Sequence, residues 1–200
     1  MEKKFNSVEE FYVKMIEIAG FGAALQALRL PFGKECRSDV YFVNTFGDDN
    51  NSGFDSTISF ACGVKTDMKD INLMSSLVKF GDEHAKVLRG INVYTEINAP
   101  RYWWQEMDTY RVGTERLSSE STMHMQGNGL IGDELIAFKE NFAEGNMQKR
   151  IQMFSYQTLR RIYIQRKNHR LPQWRTFCEW IKTLPYADKL ITVGTDDVDA

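Results

Sequence analysis

Between residues 91 and 123 the chain reads INVYTEINAPRYWWQEMDTYRVGTERLSSESTM. Arg101, Glu106, Asp108, Tyr110 and Arg111 crowd its first two thirds, and Ser118, Ser119, Ser121 and Thr122 close it. A guanidinium is a planar, bidentate donor, and hydroxyls with backbone amides add neutral donors, so this set suits a phosphate. Tyr102, Trp103 and Trp104 offer faces on which a planar ring can stack, or they are plain core. The serines lack an arranged base: His124 alone does not make a nucleophile of any of them. Phosphate contact is the functional reading of that run, and a solvated loop is the bland one.

A second concentration of charge lies downstream. From 146 to 178 there is no acid, while Lys149, Arg150, Arg160, Arg161, Arg166, Lys167, Arg170 and Arg175 are all basic. Arg160, Arg161 and Arg166 stand alongside Leu159, Ile162 and Tyr163, which is either a phosphate- or base-reading helix or a solvated charged face. The overall net charge of -2 argues against a surface that binds nucleic acid everywhere. Three cysteines and three histidines stand far apart, so no metal site is read. There is no Walker lysine loop and no G-x-G-x-x-G. MEKKFNSVEE lacks an apolar signal core and no run is long enough to span a bilayer, so a soluble cytoplasmic protein is expected, with no membrane partner.

The elements that must position these groups follow from spacing. Ser7 with Glu10 has capping-box spacing, and Phe11, Met15, Ile16 and Ile18 form an apolar stripe, which predicts a helix. A second helix over 23–30 stops at Pro31. Residues 40–46 read as a strand, GDDNNSG as a turn, and 54–64 as its hairpin partner. Asp70 opens a helix through Leu73, Leu77 and Phe80, and a short helix to Leu88 precedes the strand INVYTEI. Ala99-Pro100 then starts a helix carrying two Trp, two Tyr and two Arg, followed by the hydroxyl-rich loop. Such a strand-helix-loop order can converge amide N–H groups on an anion. QGNG is a further turn, and helices are expected over 133–144, over 147–168, and from Pro172 to near Pro185. The class is α+β: a small, mostly antiparallel sheet packed by helices. Residues 1–195 are expected to form one domain, with 196–200 an acidic, frayed tail.

With those residues placed, the chain resembles the flavin-dependent thymidylate synthases. That family has a strand, an Ala-Pro, a helix ending Gln-Trp-x-Arg-His-Arg, and a serine after seven more residues; here Ala99-Pro100 stands at the matching distance from Thr109-Tyr110-Arg111, and seven residues separate Arg111 from Ser119. Upstream, LVKFGDEHAKVL is similar to the family's Gly-His-x-Ser/Thr-x-x-Glu-His helix, and downstream SYQTLRRIYIQRK is similar to its Asn-x-Arg-x-Leu-x-x-Phe-x-x-x-Arg helix. The similarity spans 77–167, roughly half of the chain.

The resemblance implies that Arg111 lies near flavin and nucleotide, that Ser119 holds the dUMP phosphate, and that Arg166 addresses the uracil ring. Thr109 and Tyr110 replace the first arginine and the histidine of the signature. Glu106 stands for its glutamine, Ser121 for a phosphate-binding arginine, Gln157 and Arg161 for an arginine and an asparagine near the flavin, and Asp82 for a histidine. These departures resemble a divergent branch such as phage genomes carry. The implied activity is one-carbon transfer to a pyrimidine deoxynucleotide, dUMP or a variant, using FAD, NADPH and methylene-tetrahydrofolate. Arg111 and Arg166 would orient the nucleotide; Ser119, Glu106 and Ser121 would contact it; His84, Tyr110, Gln157 and Arg161 would contact flavin. The family's site lies between subunits of a homotetramer. The competing expectation is a non-catalytic nucleotide- or nucleic-acid-binding protein that kept the fold and lost the flavin, with Arg160, Arg161, Arg166, Lys167 and Arg170 beside Tyr163 and Trp174 as a basic, stacking surface.

Overall fold

Four strands build the main sheet of the computed structural model, which describes residues 6–45 and 59–195. They are β1 (Tyr12–Ala19), β4 (Asn92–Pro100), β6 (Met147–Ser155) and β5 (Thr114–Ser119), adjacent in that order and antiparallel throughout. β2 (Asp39–Thr45) and β3 (Ser59–Lys65) pair as a separate antiparallel ribbon. The turn expected at 47–53 and the acidic tail lie outside the described residues. The helices are α1 (Asn6–Glu9), α2 (Phe21–Arg29), α3 (Met68–Lys79), α4 (Arg101–Met107), α5 (Gly132–Glu140), α6 (Tyr156–Arg166), α7 (Pro172–Lys182) and α8 (Ala187–Leu190). The expected α+β class, a small antiparallel sheet packed by helices, is what the chain forms.

One face of the sheet is covered and the other is open. On β4, Val93, Thr95, Ile97 and Ala99 are buried, while the alternate residues Asn92, Tyr94 and Glu96 are only half-buried. β6 repeats the division: Arg150, Gln152 and Phe154 are buried opposite Ile97, Thr95 and Val93. The covered face carries the aromatic core of α4 and α7. Trp103 and Trp174 stack with centroids 4.6 Å apart, Phe177 meets Trp103 edge-on at 5.6 Å, and the Trp104 indole N–H donates to the Gln148 carbonyl at 2.9 Å.

Several expectations are corrected. Residues 12–19 form an edge strand, not a helix: the apolar spacing of Met15, Ile16 and Ile18 fits a helical face, but the segment pairs with β4, and a bulge between Met15 and Glu17 breaks its alternation. Residues 147–155 are the central strand β6 rather than the first half of a helix, and α6 begins only at Tyr156, capped by the Ser155 hydroxyl. Residues 114–119 are a strand rather than a loop, also bulged, between Arg116 and Ser118. α3 is capped by Asp67, three residues before Asp70, which lies buried inside the helix. α4 ends at Met107, so Tyr110 and Arg111 stand beyond it.

The connection from α4 to β5 is tightly fastened. The Ser155 amide donates to the Gly113 carbonyl at 2.8 Å, the Thr158 hydroxyl donates to the Val112 carbonyl at 2.7 Å, and the Thr114 hydroxyl donates to the Tyr110 carbonyl. Gly113 takes φ +73°, and a Cβ there would collide with the hydroxyls of Ser155 and Thr158. Gly113→Ala is therefore expected to cost about 1–2 kcal/mol from the left-handed backbone alone, with the collision added, and to lower the melting temperature measured by calorimetry. Among the described residues no helix is long and apolar enough to cross a membrane.

Candidate functional site

Two hollows open on the bare face of the sheet. The larger, about 460 Å³, is lined by Asn92 and Met153 from the sheet, Val112 and Gly113 from the connection, and Gln157 and Arg161 from α6. Arg89, Asp82, Ser155 and Thr158 complete it. The smaller, about 290 Å³, lies farther along the same strands at Glu96 and Ile151, with Ser118, Ser119, Glu120 and Lys149 around it. Asn92 and Glu96 alternate on β4 with Tyr94 between them, so both hollows share one face.

In the larger cleft the polar groups fall into two sets. Ser155 and Thr158 are spent on structure: their hydroxyl oxygens lie 3.0 Å apart, and the Thr158 amide donates to Ser155 Oγ at 3.2 Å. Arg89, Gln157 and Arg161 are not. Arg89 Nε donates to Gln157 Oε1 at 2.7 Å, Gln157 Nε2 donates to the Asp82 carbonyl at 3.4 Å, and Arg161 is exposed with no hydrogen bond among the described residues. Arg111, one residue before Val112, is likewise exposed and unpaired among the described residues. Asp108, the acid three residues before it, is taken by Arg150 at 2.8 Å. A connection pinned at Tyr110, Val112, Gly113 and Thr114 thus displays one free guanidinium, an arrangement that fits an anionic ligand.

Glu106, Tyr110 and Arg166 do come together, but on each other. Arg166 donates from Nε to the Tyr110 hydroxyl and from an NH1 proton to Glu106 Oε2, both at 2.8 Å, and its guanidinium stacks 4.6 Å over Trp174. The Tyr110 hydroxyl in turn donates to Gln165 at 2.9 Å, and the Trp174 indole N–H donates to Glu106 Oε2 at 2.8 Å. His169 Nε2 lies 2.9 Å from Arg166 and 3.6 Å from Glu106. Burial holds the His169 pKa below its ordinary value; Glu106 opposes this, and Arg166, Arg170 and Arg175 add to it. The cluster clamps α4, α6 and α7 together.

The other expected site residues are dispersed. Ser119 ends β5 at the smaller hollow. Ser121 Oγ accepts the His124 amide at 3.3 Å, in the turn after β5. His84 is exposed, edge-on to the Phe80 ring at 6.0 Å. The convergence of amides at the start of α4 does not occur: the Arg101 and Tyr102 amides donate to the carbonyls of Asn146 and Glu144 at 3.1 and 3.2 Å. Nor do Trp103, Trp104, Trp174 and Tyr163 form the expected stacking surface, since all four are buried. The basic run is largely structural as well: Arg160 donates to the Ile191 and Val193 carbonyls at 2.6 and 2.8 Å, and Arg175 to that of His169 at 2.7 Å.

Arg89 was not among the expected residues, and Lys149 stood only in the basic run. The signal for Lys149 was present but hidden, because β6 places polar residues on its buried face and leaves Ile151 and Met153 half-open. Arg89 had no signal beyond its position just before the Gly90 that precedes β4.

No protein-family model matches the sequence, and no curated protein sequence is significantly similar to it. The fold is shared with solved structures. Flavin-dependent thymidylate synthase ThyX from Helicobacter pylori, complexed with FAD and dUMP, superposes with TM-score 0.63 at 13% identity, covering 94% of this chain and 99% of that one. A second structure of the same enzyme with FAD and dUMP gives 0.63 at 12% over the same shares. The UMP/dUMP methylase PolB from Streptomyces cacaoi, bound with 5-Br dUMP, gives 0.55 at 11%, covering 93% of each chain. The superpositions show a shared fold, and at identities in this range they show the fold alone.

Proposed function

We propose that a chain with this fold and this cleft is a divergent, phage-type flavin-dependent methylase of pyrimidine deoxynucleotides, acting on dUMP or a variant with methylene-tetrahydrofolate and NADPH. The observation that carries the reading is the larger cleft, where Gln157 and Arg161 of α6 meet the pinned connection that displays Arg111. Gln157 and Arg161, with Arg89 behind Gln157, form a donor set suited to the phosphates or the dione edge of FAD. Bound there, FAD supplies the redox chemistry that turns a folate-borne methylene into a methyl group. Arg111 orients nucleotide against that group, and Ser119 contacts the nucleotide phosphate at the smaller hollow, where Lys149 stands 3.7 Å from Glu120.

Between the hollows, half-buried Tyr94, Ile151 and Met153 leave the open sheet face partly apolar. Covering that face would exclude water from both ligands, and a further copy of the chain in a homotetramer is the proposed cover. Arg166, Glu106 and Tyr110 act by holding the connection in place rather than by touching the nucleotide.

The test is an absorbance spectrum of the purified protein and a titration with FAD and with dUMP. Flavin absorbance, or saturable uptake of FAD, supports the reading; a colourless protein that takes up no FAD overturns it. A non-catalytic nucleotide-binding protein with the same cleft would bind dUMP alone. Arg111→Lys keeps the charge and loses the planar, bidentate contact. It is expected to weaken dUMP or FAD binding about ten- to hundredfold, the worth of a charge-assisted hydrogen bond, with the melting temperature unchanged.

A further inference from the structure

A guanidinium donates and never accepts, so a carboxamide that faces one must turn its oxygen toward it. In the larger cleft this applies to Gln157, whose Oε1 receives Arg89 Nε at 2.7 Å across a sequence separation of 68 residues. Its amide nitrogen is left with one long contact, 3.4 Å to the Asp82 carbonyl, and one N–H without a partner among the described residues. Arg161 stands one helical turn further along α6 and lines the same cleft. The two nearby hydroxyls are already committed, Thr158 to the Val112 carbonyl and Ser155 to Thr158. Asp82 is the one carboxylate in the lining, against two guanidiniums.

We infer that Arg89 is a positioning residue that fixes the Gln157 amide as a donor, so that the Arg89–Gln157–Arg161 wall selects a ligand presenting acceptor oxygens. A phosphate and the carbonyl edge of a cyclic imide both qualify; a ligand edge that is itself a donor does not. The inference deepens the proposed function, and rests on it only for which acceptor-bearing molecule occupies the cleft.

Three probes separate the possibilities when titrated calorimetrically into wild type, Gln157→Glu, Arg89→Met and Arg89→Lys: dUMP, FAD and inorganic pyrophosphate. Gln157→Glu replaces the donor by an acceptor of nearly the same shape and pairs with Arg89, so the fold is retained. It is expected to weaken every ligand that wild type binds in this cleft by about tenfold or more. Arg89→Met frees the amide to rotate and should weaken the same ligands, while Arg89→Lys keeps a donor to Oε1 and should restore binding. A general loss of structure would not reproduce that rescue, and melting temperatures of all three variants check it.

Wild-type affinities for dUMP or FAD in both Gln157→Glu and Arg89→Met would overturn the inference and leave the methylase reading intact. Binding of pyrophosphate but of neither dUMP nor FAD, with the same variant pattern, would uphold the inference and overturn the methylase reading. Failure of wild type to bind any of the three overturns both.

Discussion

Asp70→Ala is expected to destabilise the protein by about 3–5 kcal/mol, the cost of breaking a buried pair by removing one partner. Asp70 is wholly buried in α3, and its carboxylate accepts Arg29 Nε at 2.6 Å, the Arg37 amide at 2.8 Å, and the Ser38 amide and hydroxyl at 2.9 and 2.8 Å. Three donors from the segment between α2 and β2 and the guanidinium at the end of α2 thus converge on one side chain, and its loss strands all of them, including that guanidinium, only 16% exposed. Asp70→Asn should be nearly as damaging, because its NH2 would face donors. Burial pushes the Asp70 pKa up, but the bonds from Arg29, Ser38 and the Arg37 amide outweigh it and hold the carboxyl below its ordinary range. A carboxyl with a depressed folded-state pKa contributes its full stability above its unfolded value, near pH 4, and loses it as pH falls through the folded value. Urea unfolding of wild type and Asp70→Ala at pH 7 and at progressively lower pH should therefore converge in acid. A gap that stays constant would show that the carboxylate is not the group responsible.

Arg166→Met is expected to cost about 2–3 kcal/mol, less than the roughly 3–5 of a fully buried pair because Glu106 keeps 35% of its side chain in solvent. The lost contacts are those to Glu106 and Tyr110 and the cation–π stack on Trp174. In a chain of this size each kcal/mol corresponds to roughly 2–4 °C of melting temperature. Nucleotide affinity should change by much less than in Arg111→Lys. The two arginines therefore predict opposite patterns: Arg166 moves stability and spares binding, Arg111 moves binding and spares stability. Equal losses of dUMP affinity in both, with Arg166→Met melting like wild type, would return Arg166 to the ligand and break the clamp account.

The sequence carried the local features that depend on neighbours along the chain. Pro100 ends β4 with extended backbone as the N-cap of α4, and Pro172 opens α7 from inside its first turn, where a missing N–H costs nothing. Leu25 and Leu28 face inward from α2 as the spacing requires. The antiparallel sheet packed by helices, and its likeness to one family, were legible from such elements in order. That Gln157 and Arg161 share one helix was legible too, and the structure puts both at one cleft.

What the chain alone did not settle is which partner each segment meets. Tyr12–Ala19 and Met147–Ser155 have apolar spacings compatible with a helix, and become strands because hydrogen bonding to β4 satisfies their backbones on either side of it. β6 buries Arg150 and Gln152: Asp108, Gln148 Oε1 and the face of Trp104 receive the Arg150 guanidinium, while Gln152 Oε1 finds no partner among the described residues. The same holds for the site. Arg111 and Arg166 look alike as residues in a basic, aromatic region, yet one is free and the other clamped, because a carboxylate and a tyrosine hydroxyl distant in sequence meet only Arg166. Charge and donor capacity are properties of a residue, whereas whether they are already spent is a property of the packing around it.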